Sequence, residues 1–126
     1  MSCDKVEQSK KKLDGIWTIV SYEYTDSQGF NYYPEVNGKL FFENCEGNPC
    51  AYTIDIRFTH SVATGERVEQ GTYTLDEKGE IMDLVQILPG GQTINKPNNK
   101  ILLLTRNDLK IQYSESGATH EYIFEK

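Results

Sequence analysis

Hydrophobic and polar residues alternate along most of this chain, most regularly between residues 51 and 60. The apolar positions of that segment are Tyr52, Ile54, Ile56 and Phe58. A period of two residues is typical of a β-strand that has one buried and one solvated face. The pattern therefore predicts a strand of an antiparallel sheet with one side covered.

Shorter segments of the same kind follow one another along the chain, separated by clusters of Gly, Pro, Asn, Asp and Ser, which are typical of turns. Eight strands are predicted, at residues 15–24, 38–43, 51–60, 68–75, 80–88, 100–106, 109–114 and 118–125. No helix-length segments separate them, as parallel βαβ units would require. Closure of such a meander removes its exposed edges. The sequence therefore predicts an all-β fold, an antiparallel up-and-down barrel of about eight strands.

Three segments need separate predictions. Residues 1–12 are charged and are expected to form a tether or short helix before a barrel domain at 13–126. Residues 95–99, which contain Pro97, are predicted to be a loop. The strand at 100–106 is apolar on both faces, which predicts a cover on its outer side or a dimer contact.

In the strand predicted at 80–88, Asp83 is expected to face water, with Met82 and Leu84 inside.

Composition supports the fold and excludes some functions. A length of 126 residues corresponds to one domain. Eight Tyr and five Phe suit half-buried pleated surfaces. A formal net charge of -6 disfavours nucleic acid as a partner, because phosphates require a basic surface. No apolar run approaches the ~20 residues of a membrane-spanning helix.

Cys45 and Cys50 bracket a turn-rich loop and are predicted to form a disulfide, which would contribute about 2 kcal/mol on the chain-entropy model. A zinc site is the less favoured alternative, because zinc usually takes four ligands and this loop has no histidine. Two free thiols are the remaining alternative. Disulfides persist in oxidising compartments such as the cell envelope.

Cys3 follows Ser2 in an arrangement similar to the processed end of a bacterial lipoprotein, whose cysteine is acylated. The hypothesis is a membrane-anchored protein of the cell envelope, periplasmic or at the surface, with a lipid on Cys3. The alternative is a cytosolic protein whose third residue happens to be cysteine.

Several short motifs occur in a characteristic order. They are LDGIW at residues 13–17, GTYTL at 71–75, ILLLTRNDL at 101–109 and EYIFEK at 121–126. Over nearly its whole length the chain resembles the lipocalin superfamily, specifically the small lipocalin-like lipoproteins of Bacteroidetes-type bacteria. The resemblance implies that Trp17 plugs the closed end of the barrel and that Gly15 permits close approach of the entering chain. It also implies a basic residue over the indole ring, for which Arg106 is the candidate.

No catalytic, phosphate-binding or metal-binding motif is present, and no cofactor is expected. His60 and His120 are the only histidines. The residues expected to line a ligand site in the barrel interior and at its mouth are Tyr22, Tyr32, Phe42, Tyr52, Ile54, Ile56, Phe58, Tyr73, Tyr113, His120 and Tyr122.

Two functional hypotheses follow. The first is a cell-envelope lipoprotein whose lipocalin-like barrel binds a small hydrophobic molecule. The second is a barrel with a filled interior that serves as a protein-interaction or accessory module at the cell surface. A continuous cavity of about 300 Å3 or more, open at one end, would favour the first.

Overall fold

The computed structural model describes residues 5–46, 49–59 and 64–126, and over these ranges it confirms an antiparallel β-barrel with one short helix. The elements are α1 (Lys5–Leu13), β1 (Gly15–Thr25), β2 (Asn31–Tyr32), β3 (Glu35–Phe42), β4 (Cys50–Thr59), β5 (Thr64–Leu75), β6 (Ile81–Ile87), β7 (Thr93–Leu104), β8 (Asp108–Glu115) and β9 (Ala118–Glu125). Cys3 and His60 lie outside the described residues.

Closure of the barrel depends on the first long strand. β1 pairs with β3 near Gly15 and with β9 from Thr18 to Thr25, and a bulge between Ile19 and Ser21 lies within the second pairing. The intervening strands pair in chain order, and β2 is a two-residue extension beside the end of β1. Eight strands therefore form the wall and leave no edge along it.

The loop predicted at residues 95–99 is wrong, because β7 begins at Thr93 and pairs with β6 through this region. A register shift in that pairing lies between Met82 and Leu84. Beside Pro97, Asn98 has a φ of 63°, and its backbone N–H donates to the Asp83 carboxylate at 2.9 Å. A bulge thus accommodates the proline, which has no N–H for a regular ladder. Asp83 is exposed, as the sequence indicated.

Helix α1 closes one end of the barrel. Leu13 and Trp17 are completely buried there, and Trp17 Nε1 donates to the Leu13 carbonyl at 2.8 Å. Gly79, in the turn between β5 and β6, has a φ of 69°, and a Cβ at this position would collide with Ser9 of the helix. The glycine therefore permits the helix to dock against the barrel.

Two details at this end differ from what the lipocalin resemblance implied. The cation over the indole is Lys126, whose Nζ lies 4.8 Å from the ring centroid, whereas Arg106 is exposed nearby. Gly15 has a φ of 112°, and a Cβ there would meet only the Lys126 side chain, at 3.5 Å. The backbone angle, rather than close approach of the chain, is therefore the reason for a glycine at this position.

The predicted disulfide between Cys45 and Cys50 is present at the closed end, between β3 and β4. The Tyr73 hydroxyl donates to the Glu43 carbonyl at 2.6 Å, and Lys10 Nζ donates to the Cys45 carbonyl at 3.4 Å. These bonds connect the disulfide loop to both the core and the helix.

The outer wall carries several exposed apolar side chains. Leu102 and Leu103 of β7 and Ile123 of β9 are among them. No described segment covers the two leucines, for which the sequence predicted a cover or a dimer contact. The described part of the chain contains no helix with the length and apolar character needed to cross a bilayer.

Candidate ligand site at the open end of the barrel

The floor of the site begins in β5, where Arg67 and Glu69 point inward. They share the inner face with Gly71 and Tyr73, as the period of two requires. The Glu69 side chain is only 3% exposed, and it accepts a hydrogen bond from the Tyr52 hydroxyl at 2.9 Å. A carboxylate is thus buried above the apolar core of the barrel.

Two cations neutralise this carboxylate. Arg67 donates through Nε and Nη2 to both oxygens of Glu69, each at 3.0 Å. Lys96 Nζ, from β7, donates to Oε2 at 2.7 Å. Burial by itself would raise the pKa of Glu69, but the hydrogen bonds and charge of Arg67, and then of Lys96, lower that pKa to about 2. The carboxylate is therefore ionised at neutral pH.

The cluster of Arg67, Lys96 and Glu69 has two positive charges for one negative charge. Arg67 and Lys96 are both partly exposed on the side of the open end. Lys96 forms one side-chain hydrogen bond with the described residues, so two of its ammonium protons have no partner among them. The cluster consequently presents a net positive charge and free donors to the cavity above it.

That cavity, the cup, has a volume of about 230 Å3 and opens to solvent. Its lining residues are Arg67, Lys96, Asn99, Tyr113, Glu115, His120 and Tyr122. Asn99 is held in place because its Nδ2 donates to the carbonyls of Met82 at 3.1 Å and Lys96 at 2.8 Å. The cup is thus bounded by fixed side chains that belong to four different strands.

The wall of the cup is aromatic. The His120 ring lies 5.8 Å from that of Tyr113, and its Nδ1 is 2.6 Å from the Tyr22 hydroxyl. The Arg67 guanidinium lies over the Tyr122 ring, 5.5 Å from its centroid. Burial lowers the pKa of His120 and raises the pKa of Tyr22 and of Tyr122. These rings are uncharged at neutral pH and add contact surface. The exposed Glu115 also lines the cup and is its second acidic side chain, beside the paired Glu69.

The interior below the cup is filled. The space there is only about 20 Å3, roughly one water molecule. Leu40, Ile54, Leu84, Ile111 and Phe124 are among its buried lining residues. Arg67, Asn99 and Tyr122 line both spaces and so separate them. The interior below the cup therefore has no room for a small-molecule ligand.

The sequence-predicted site residues are distributed along the whole barrel. Tyr113, His120 and Tyr122 line the cup, while Tyr22 and Tyr52 reach its side chains through their hydroxyls. The interior below contains Ile54 and Ile56, and the closed end contains Phe42 and Tyr73, whose rings pack edge-on at 5.1 Å. Phe58 lies nearer the open end, where its ring packs on Tyr22 with centroids 4.8 Å apart. Tyr32 lies outside on the rim, where its ring stacks on Tyr24.

Sequence reasoning missed the polar residues that give the cup its chemistry. Arg67 and Glu69 share the inward face of the strand with Gly71 and Tyr73, so the period of two contained a signal for them. The predicted strand began at residue 68 and so contained Glu69 but not Arg67, whereas β5 in fact begins at Thr64. No strand pattern pointed to Lys96 and Asn99, because the bulged segment around Pro97 has the composition of a loop.

The described ranges contain no group of three or more His, Cys, Asp or Glu side chains that could hold a metal ion. Comparison with known proteins finds no matching family model, no similar curated protein and no similar solved structure. The function is therefore inferred from the barrel and its cup alone.

Proposed function

We propose that this barrel binds a small molecule with an anionic head and an apolar, aromatic body in the cup. The observation that carries the proposal is the sharing of one buried carboxylate, Glu69, by two cations that both face the cavity. The hydrophobic ligand expected from the sequence is thereby narrowed to an amphipathic acid.

The cation cluster favours an anionic head for electrostatic reasons. Glu69 holds Arg67 and Lys96 in position before a ligand arrives, so little side-chain freedom is lost on binding. A ligand carboxylate would accept charge-assisted hydrogen bonds from the remaining donors of both side chains, and such bonds are roughly twice as strong as neutral ones. A cationic ligand would be repelled by the same pair.

The aromatic wall favours an apolar body. A second, shallower space of about 420 Å3 continues from the cup over Tyr22, Tyr24 and Ala118, and shares His120 and Glu115 with it. The cup is smaller than the ~300 Å3 expected of a barrel that encloses a hydrophobic molecule, and the interior below it is filled, so this criterion does not favour an enclosed apolar ligand. A single-ring acid therefore suits it better than a long lipid chain.

Phenylacetate is expected to raise the melting temperature of the protein, whereas the uncharged isostere phenylacetamide leaves it nearly unchanged. At a ligand concentration of about 100 times Kd, the stabilisation is about 2.7 kcal/mol, or several degrees. Differential scanning fluorimetry with increasing concentrations of each compound measures both.

Lys96→Gln is expected to remove most of this stabilisation, because it deletes a cation of the cup while Arg67 still pairs with Glu69. The matched control is Lys100→Gln, an exposed change on the same strand, which should bind like the wild type. Equal stabilisation by the acid and the amide, or unchanged binding by Lys96→Gln, would contradict an anion site.

We further propose that the protein is a lipoprotein of the cell envelope. The Ser2-Cys3 pair supports this, and the disulfide between Cys45 and Cys50 is consistent with an oxidising compartment. Mass spectrometry of the precursor expressed in a bacterium should show a diacyl or triacyl mass on Cys3. Cys3→Ser should abolish that mass, and an unmodified Cys3 in the mature wild-type protein would overturn the proposal.

An interaction module at the cell surface remains the second functional hypothesis. Its support is the exposed apolar side chains of the outer wall, Leu102, Leu103 and Ile123. A cup that binds no acid would leave this hypothesis as the better account of the fold.

A further inference from the structure

We infer that the closed end of the barrel is an electrostatic docking surface for an anionic phospholipid bilayer. Four exposed cations meet there, on the opposite end from the cup: Lys11, Lys12, Arg106 and Lys126. They are named the basic end below.

Separate parts of the fold bring these four residues together. Lys11 and Lys12 belong to the last turn of α1, Arg106 to the turn between β7 and β8, and Lys126 follows β9. With Gln8 they line a shallow groove of about 480 Å3. Lys126 Nζ donates to the Lys12 carbonyl at 2.9 Å, which joins the end of the chain to the helix.

The four cations of the basic end are not neutralised by ion pairs with described residues. Ion pairs among the described residues form elsewhere, and none involves these four side chains. The nearby Asp108 contacts Thr105 instead. The chain has a formal net charge of -6, and Asp14, Asp108 and Glu125 also lie at the closed end, so the four cations form a basic groove within a mixed surface.

Structural roles explain three of the four cations of the basic end, but not the fourth. Lysines in the last turn of a helix interact favourably with its macrodipole, which explains Lys11 and Lys12. Lys126 also covers the Trp17 ring. Arg106 has neither role, although it lies in the same groove.

A planar bilayer suits this surface better than an extended polyanion. A flat anionic surface touches only the end of the barrel, whereas a nucleic acid would extend beside the acidic remainder of the chain and be repelled. The contact depends on the negative headgroups of the bilayer.

The position of Cys3 also favours a bilayer as the partner, and this argument rests on the proposed lipid anchor. Cys3 precedes the start of α1 at Lys5 by two residues, a distance of at most ~7 Å. An acyl chain there would hold α1 and the basic end at the membrane. The diacyl or triacyl group proposed for Cys3 would anchor the protein by itself, and the basic end would then orient the barrel on the membrane. The cup would then open away from the bilayer.

The test uses the full chain with Cys3→Ser, which removes the anchor and leaves only electrostatic binding. Sedimentation with phosphatidylcholine vesicles containing phosphatidylglycerol should pull the protein down at low salt, and pure phosphatidylcholine should not. High salt should abolish the binding. Since each Lys or Arg near an anionic surface contributes roughly fivefold, adding Lys11→Gln, Lys12→Gln and Arg106→Gln should weaken partitioning roughly a hundredfold.

The matched control removes the same net charge from the barrel wall with Lys39→Gln, Arg57→Gln and Lys100→Gln, and should weaken partitioning far less. Equal losses for the two triple variants, equal binding to both vesicle types, or no binding to either would overturn the proposal. Tighter binding to heparin than to the anionic vesicles would also overturn it, in favour of a soluble polyanion. The basic-end triple should still bind phenylacetate like the wild type, so a failure here is distinct from a failure of the cup.

Discussion

Trp17→Ala is expected to lower the free energy of unfolding by about 3–5 kcal/mol, the largest effect of any single change proposed for this protein. The indole is completely buried, donates its only N–H to the Leu13 carbonyl, and lies under Lys126. Alanine would leave a large cavity between the helix and the barrel and an unpaired carbonyl on α1. Urea denaturation followed by circular dichroism measures the loss.

The control for this change is the neighbouring Ile16→Ala. Ile16 lies on the same strand but is 58% exposed on the outer face, so its truncation should cost less than about 1 kcal/mol. Comparable losses for the two variants would show that Trp17 does not close the barrel.

Glu69→Gln is expected to cost about 3 kcal/mol at neutral pH, because it leaves Arg67 and Lys96 together without their shared carboxylate. The same magnitude follows from the pKa of Glu69, which is about 2 in the folded protein and 4.5 ordinarily. Glu66→Gln is the control, since Glu66 forms only an exposed ion pair with Arg57 at 3.9 Å. That change should cost less than about 1 kcal/mol.

The stability difference between wild type and Glu69→Gln should depend on pH. Folding lowers the pKa of Glu69, so its stabilisation is complete above pH 4.5 and is lost as the pH falls towards 2. The wild type should therefore lose its advantage over the variant across this window. Chemical denaturation at a series of pH values measures the difference, and a constant difference down to pH 2 would show that the ionised carboxylate is not its source.

The strand pattern was predictable because it depends on local alternation. Tyr52, Ile54 and Ile56 point inward because every second residue of a strand shares a face, and no knowledge of neighbouring strands is needed. Cys45 and Cys50 were predictable for a similar reason, since a turn-rich loop brings both ends together. Burial of Trp17 followed from the lipocalin resemblance.

The cup was not predictable in the same way. The cation cluster joins Arg67 and Glu69 of β5 to Lys96 of β7, and its geometry depends on pairing and on the bulge near Pro97. A charged residue on an inward face is unfavourable by local criteria, and only a partner from another strand makes its burial acceptable. The cation over Trp17 is a parallel case, because Lys126 reaches the ring only after β9 has closed the barrel on β1.

The amino-acid sequence by itself thus determined an antiparallel barrel, its approximate strands and its disulfide, because alternation, turns and loop closure are properties of short segments. The tertiary structure alone decided where the barrel is filled, which charges face its mouth and which cations gather at its closed end. Those features depend on residues distant along the chain, and their energies exist only when strand pairing brings the residues together.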